Sequence, residues 1–168
     1  LGIGPGSLKT GFGIIRIDRK QPIYVSSGTI RLPVKEPLSV RLRVLFESLS
    51  EIIDTHRPTV AAIESVFMAK SADSALKLGH ARGAAMVACV TNELAVFEYA
   101  ARQIKQSVVG TGAASKQQVQ HMVTVLLGLS AEPAEDAADG LAAALCHCHA
   151  EELSGALAAS GFKAGRLR

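Results

Sequence analysis

Two aspartates three residues apart, Asp136 and Asp139, stand near the start of an alanine-rich stretch with helical character. On a helix that spacing puts both carboxylates on one face, about one turn apart. Glu64 closes Thr59 to Ile63, a short apolar run with β-branched residues of the kind that forms a buried strand. A carboxylate at the exit of such a strand lies where open α/β sheets place their sites. Each feature also has a plainer reading: an acidic first turn complements the helix dipole, and a strand-end glutamate reaches water. Gathered in one pocket, carboxylates repel and raise one another's pKa, so a shared site makes sense around bound cations. Hard oxygen ligands favour magnesium or manganese. Two such ions ~3.5–4 Å apart can activate a water and stabilise the leaving oxygen of an in-line displacement at a phosphodiester. Hydrolysis of a nucleic-acid backbone is the natural chemistry.

These residues need a scaffold, and 168 residues at 48% hydrophobic content suffice for one domain with a real core. Strands are expected at Leu1 to Ile3, Gly11 to Ile17 and Ile23 to Leu32, joined by short Pro/Gly/Ser and charged connections as an antiparallel meander. Leu38, Leu42, Leu45, Leu49, Ile52 and Ile53 recur at helical spacing. After the Glu64 strand, Ala72 to Asn92 reads as a helix rich in small residues. Ala95 to Tyr99 reads as a second parallel strand, followed by a loop containing Gly110 and Gly112. Ser115 and Gln118 form a capping box that opens a helix through Leu127, and Glu135 to about Leu153 is the last helix. The order implies a mixed five-stranded α/β sheet with helices on both faces, the ribonuclease-H-like arrangement, in a single domain over 1–153. Residues 154–168, with Lys163, Arg166 and Arg168, are expected to form a mobile basic tail.

Composition narrows the classes further. The net charge of +3, from 18 basic and 15 acidic residues, is compatible with a polyanionic partner without requiring one. Having no tryptophan and 4% aromatics argues against a broad base-stacking platform. No segment has the length of a membrane span. Three cysteines without regular spacing suit a reducing cytoplasm. The run Cys146 to His149 resembles a metal motif, but only Cys146 and His149 share a helix face and no second ligand pair follows, so zinc is set aside. His121 is expected to be partly buried rather than catalytic.

The N-terminal L-G-I-G-P-G-S-L-K-T-G-F-G segment is a strand, a Gly/Pro turn and a second strand; its glycines suit a tight hairpin or a loop approaching a phosphate. Together with I-E-S-V-F-M-A-K-S-A-D-S-A-L-K-L-G-H-A-R-G (63–83), V-F-E-Y-A-A-R-Q-I-K-Q-S-V-V-G (96–110), K-Q-Q-V-Q-H-M-V (116–123) and D-A-A-D-G-L-A (136–142), it resembles the RuvC-type Holliday-junction resolvases from Leu1 to about His149. The resemblance implies a magnesium-dependent, homodimeric endonuclease that nicks a four-way junction symmetrically and cooperates with the RuvAB branch-migration motor. A C2 dimer matches the symmetry of a junction, and the Ala72–Asn92 helix is the candidate dimer contact, simple packing on its own sheet being the alternative.

The family's four acidic positions fall on Gly4, Glu64, Asp136 and Asp139. Three carboxylates remain to hold two Mg2+ ions, with Mn2+ as a substitute, whereas Gly4 stands where the family has aspartate in G-I-D-P-G. The expected consequence is strongly weakened cleavage, the alternative being a catalytically inactive junction-binding protein. Leu8 also departs from the arginine that often follows P-G-S in the family. Lys105 and Lys116 match family lysines that neutralise charge on the scissile phosphate; read alone, each is solvated surface. Phe67 matches a phenylalanine that wedges beside an unstacked base, where the plain reading is a core residue. Met68, Lys70, Ser71 and Arg82 are expected DNA contacts. A sugar kinase or actin-like ATPase would need two such domains, which the length disfavours.

Overall fold

Hydrophobic alternation and helical spacing resolve into ten elements in the computed structural model, which describes residues 1–65 and 71–159. β1 (Gly2–Gly4), β2 (Lys9–Asp18) and β3 (Gln21–Arg31) form the expected antiparallel meander. A two-residue turn joins β2 to β3 with Arg19 and Lys20 at φ 48° and 67°, the positive-φ pair that matches strand twist in tight hairpins. α1 (Leu38–His56) buries Leu45, Leu49 and Ile53 at four-residue intervals. Then come β4 (Val60–Ser65), α2 (Ala72–Thr91), β5 (Ala95–Ala100), α3 (Ala101–Val109), α4 (Lys116–Leu126) and α5 (Glu135–Ala159). The sheet order is β3-β2-β1-β4-β5, with β4 and β5 parallel to β1.

Helices cover both faces, as expected. α1 and α2 pack on one face around Ile3, Leu45, Leu49 and Ile63; α3, α4 and α5 pack on the other around Ala62, Ile104, Val123, Leu141 and Leu145. α2 uses Ala81, Ala85, Ala88 and Cys89 against the sheet and leaves Gly79 and Gly83 on open space. No helix among the described residues is long and apolar enough to cross a membrane.

Three expectations are corrected. The stretch after β5 is not simply a loop: Ala101–Val109 forms α3, because Ile104 and Val108, one turn apart, bury against the α5 side of the sheet. α5 does not stop near Leu153 but continues to Ala159, so 154–159 is helix rather than mobile tail; Lys163, Arg166 and Arg168 lie outside the described residues. His121 is exposed on α4, its Nδ1 3.9 Å from Glu132 Oε1, because Val119 and Val123 occupy the buried face of that helix.

One contact organises the sheet. In the β1–β2 register Gly2 faces Gly13 and Gly4 faces Gly11, forming a patch without side chains. α5 rests directly on it: a Cβ at Gly11 would lie 1.6 Å from the Asp136 carbonyl oxygen, one at Gly2 1.9 Å from the Gly140 oxygen, and one at Gly13 2.5 Å from the Leu141 nitrogen. The glycines that read as turn or phosphate-loop residues thus serve helix-on-sheet packing. Gly11→Ala must push the helix off the sheet and should destabilise the protein by ~3 kcal/mol or more in urea unfolding. Gly155→Ala, in open space on the same helix, should change stability by less than about 1 kcal/mol; equal effects would remove the close-packing account.

Candidate active site

The glycine patch sets the height of α5, and the strand register sets what lies beneath its first turns. β1 pairs with β4 through Gly2–Ala62 and Ile3–Ile63, so Gly4 and Glu64 leave the sheet side by side. Side chains alternate along a strand, and Ala62 packs against the α5 side; Glu64, two residues on, therefore shares that face. Above them stands Asp139, whose Cβ lies 2.9 Å from where a Gly4 Cβ would be. Asp136 sits one turn nearer the helix start, its carbonyl against Gly11.

The electrostatics follow from this crowding. Burial pushes the Asp139 carboxyl up to about 7; the neighbouring Glu64 charge adds to the rise, Lys116 opposes it, and Glu135 and Asp136 add smaller pushes. Glu64 is also raised, chiefly by burial, while Lys105 and then Lys116 pull it back. Lys105 comes from α3 and Lys116 opens α4 behind the expected capping box, in which Gln118 N donates to Ser115 Oγ at 3.2 Å and Ser115 N to Gln118 Oε1 at 2.7 Å. Lys116 is ion-paired with Glu135, and Gln120, one turn further on, donates to the Pro133 carbonyl at 3.1 Å. α4 is thereby fastened to the start of α5. The bond to Glu135 is the main reason that the Lys116 ammonium is held above its ordinary range, with burial opposing it.

The fold thus brings Gly4, Glu64, Asp136, Asp139, Lys105 and Lys116 to one end of the sheet. Ser71 caps α2, accepting from Ser74 N at 3.2 Å, and the Arg82 guanidinium is ion-paired with Glu98 of β5, so both have structural partners. Phe67, Met68 and Lys70 lie outside the described residues. In the Cys146–His149 run, His147 Nδ1 is 2.7 Å from the buried Tyr99 hydroxyl and His149 Nδ1 is 2.9 Å from Ser107 Oγ. Two members of this neighbourhood were not foreseen. Glu135 begins the helix one residue before Asp136, and Tyr99 is the β5 register partner of Glu64. Its place in the first helical turn was a signal for Glu135; Tyr99 needed the sheet register.

Among the described residues no three His, Cys, Asp or Glu side chains converge into a ready-made metal cage. Glu64 and Asp139 nevertheless suit a divalent cation. They are desolvated, mutually repelling, oxygen-only ligands, and no hydrogen bond or ion pair to either carboxylate occurs among the described residues. Magnesium commonly takes one or two protein carboxylates and completes its shell with water and substrate phosphate rather than a full protein cage.

Known proteins resemble this chain in sequence and fold. The family model described as crossover junction endodeoxyribonuclease RuvC matches residues 1–147. The crossover junction endodeoxyribonuclease RuvC of Saccharophagus degradans is 58% identical over 168 residues, covering 99% of this chain and 97% of that protein. The structure of Thermus thermophilus RuvC in complex with Holliday junction substrate superposes with a TM-score of 0.84 at 30% identity, covering 91% of this chain and 94% of that one. The yeast mitochondrial Holliday junction resolvase shares the fold alone, with a TM-score of 0.67 at 9% identity, covering 94% and 82%. The architecture is the ribonuclease-H-like one. With a full-length relative above half identity and a family match across both the strand-end carboxylate and the α5 aspartates, the chain belongs to the RuvC family of crossover junction endodeoxyribonucleases.

Proposed function

We propose that the chain is a structure-selective endonuclease acting on four-way DNA junctions, weakened by Gly4. The observation that carries this reading is the meeting of two desolvated carboxylates, Glu64 and Asp139, at the strand exits between Lys105 and Lys116. In this reading Glu64 and Asp139, with Asp136 one turn away, hold Mg2+. When bound, the metal supplies an activated water and charge stabilisation for hydrolysis of a phosphodiester. Lys105 and Lys116 offset charge on the scissile phosphate, and Glu135 holds the Lys116 ammonium in place until DNA competes for it. Burial under α5 lowers the local dielectric and strengthens each of these interactions.

Gly4 removes a ligand at the centre of this arrangement. The lost coordination corresponds to ~4–6 kcal/mol of transition-state stabilisation, or roughly a 10³- to 10⁴-fold slower cut. A second reading, a junction binder without cleavage, draws on the 2.9 Å separation: Asp139 has the space that a side chain at position 4 would need.

A cleavage assay on a synthetic four-way junction in magnesium separates the readings. Gly4→Asp should cut 10³- to 10⁴-fold faster than the unmodified chain, with the first turns of α5 moving by a few tenths of an ångström to admit the Cβ. Equal, measurable rates would refute the assigned role of position 4; cutting by Gly4→Asp with none by the unmodified chain would favour the binding-only reading, and no cutting by either would overturn the assigned site.

The raised Asp139 carboxyl gives a pH dependence. Because its folded-state value, about 7, exceeds the ordinary 3.8, the folded protein binds the extra proton. That contribution to stability is complete below about pH 4 and is lost as pH rises through 7. In chelator, urea midpoints should therefore fall over this window; Asp139→Asn should flatten the fall, and magnesium should reduce it. A profile unchanged by Asp139→Asn would contradict the buried-pair assignment.

The homodimer is assigned to the outer face of α2. Leu76, Val87 and Val90 are 64%, 57% and 62% exposed there, beside an apolar groove lined by Leu42, Phe46, Gly79 and Gly83. Leu76→Asp/Val87→Asp should convert a micromolar dimer to a folded monomer in analytical ultracentrifugation. A monomeric unmodified chain would dispose of the assignment.

A further inference from the structure

The acidic centre is bordered by cations on the α3–α4 side, at Lys105 and Lys116. On its other side, across β1, the strand register creates a second cationic feature. Lys9 of β2 and Arg31 of β3 are directly opposed at the end of the sheet where β1 and β4 exit. By strand alternation Lys9 shares the face of Gly11 and Gly13, the face that carries α5, and Arg31 as its register partner shares it too. Lys9 is thus one strand from Gly4 and two residues beyond Gly11, an offset of about 5 Å sideways and ~7 Å along the strand. Both residues are exposed.

Like charges directly opposed on a sheet are destabilising. Arg43, Arg57, Lys77, Arg82 and Lys116 have a carboxylate partner; among the described residues Lys9 and Arg31, like several other surface cations, have none. Nor is the pair a loosely placed surface accident. Leu32 N donates to the Leu8 carbonyl at 3.0 Å, continuing the ladder past the pair. Arg41 of α1 donates to the Ser7 carbonyl and fixes the loop that leads into Lys9. Two opposed cations on rigid backbone, with no carboxylate partner among the described residues, form a site for an external anion.

We propose that Lys9 and Arg31 together hold one backbone phosphate of the junction strand, on the β2–β3 side of the Glu64–Asp139 centre and opposite Lys105 and Lys116. The DNA strand then crosses the acidic centre with a cationic support on either side. This inference rests on the junction-binding reading above.

The test measures junction affinity against salt concentration for the unmodified chain, for Lys9→Gln/Arg31→Gln, and for Arg19→Gln/Lys20→Gln. The last removes the same charge from the β2–β3 turn, about 30 Å away at the other end of the hairpin, well beyond the screening length at ordinary salt. Losing one phosphate contact should make the slope of log K against log salt shallower by about 0.9 and weaken binding evenly across junction sequences. The Arg19/Lys20 variant should keep the original slope. Without DNA, Lys9→Gln/Arg31→Gln should melt at or above the temperature of the unmodified chain, because it relieves a like-charge pair. An unchanged slope, an equal change in the turn variant, or a lower melting temperature overturns the subsite. Failure of the unmodified chain to bind junctions at all overturns the functional reading, and the subsite with it.

Discussion

The close seating of α5 on four glycines is the constraint from which the site follows. A helix can approach a sheet this nearly where the strands lack side chains, and here Gly2, Gly4, Gly11 and Gly13 meet the backbone of Asp136, Gly140 and Leu141 and the Cβ atoms of Asp139 and Ala144. The contact sets the height of Asp136 and Asp139 above the sheet. It also excludes water from beneath them, which raises the Asp139 carboxyl and makes the Glu64 charge felt. Side chains of ordinary size along β1 and β2 would lift the helix and leave the same carboxylates as independent, solvated surface groups.

Around this contact the molecule balances like charges with flanking cations. Lys105 and Lys116 reach the acidic pair from helices that the sheet positions separately, and Glu135 and Gln120 fasten α4 to the beginning of α5. Tyr99 and His147 join β5 to α5 two turns further along. The Glu64–Asp139 relationship therefore depends on two separated attachments: glycine packing on one side of Glu64 and a buried hydrogen bond on the other. Gly4 lies at the first of these. Its lack of a side chain lets the helix settle closer.

Much of the fold was legible because it rests on local patterns. The apolar run before Glu64, the four-residue spacing of Leu45, Leu49 and Ile53, and the Ser115–Gln118 capping box each act over a turn or a strand. α3 was not legible. Only Ile104 and Val108 are buried in nine residues, too short a signal to separate from a loop until they meet α5. His121 was misplaced because helical spacing alone does not say which face turns inward; Val119 and Val123 decided it. The extra turns of α5 past Leu153 are exposed and carry no periodic mark distinguishing a helix end from a tail.

The sequence by itself determined the residue types: carboxylates at a strand exit and on one helix face, glycine at position 4, and lysines that matched a known pattern. Only the tertiary structure decided that Glu64 and Asp139 lie half-buried within reach of each other's charge, that the N-terminal glycines serve as a bed for α5 rather than a phosphate loop, and that Lys9 stands opposite Arg31. The reason is geometric. Spacing along the chain controls which face of its own element a side chain occupies, whereas register and the distance between elements control which faces meet.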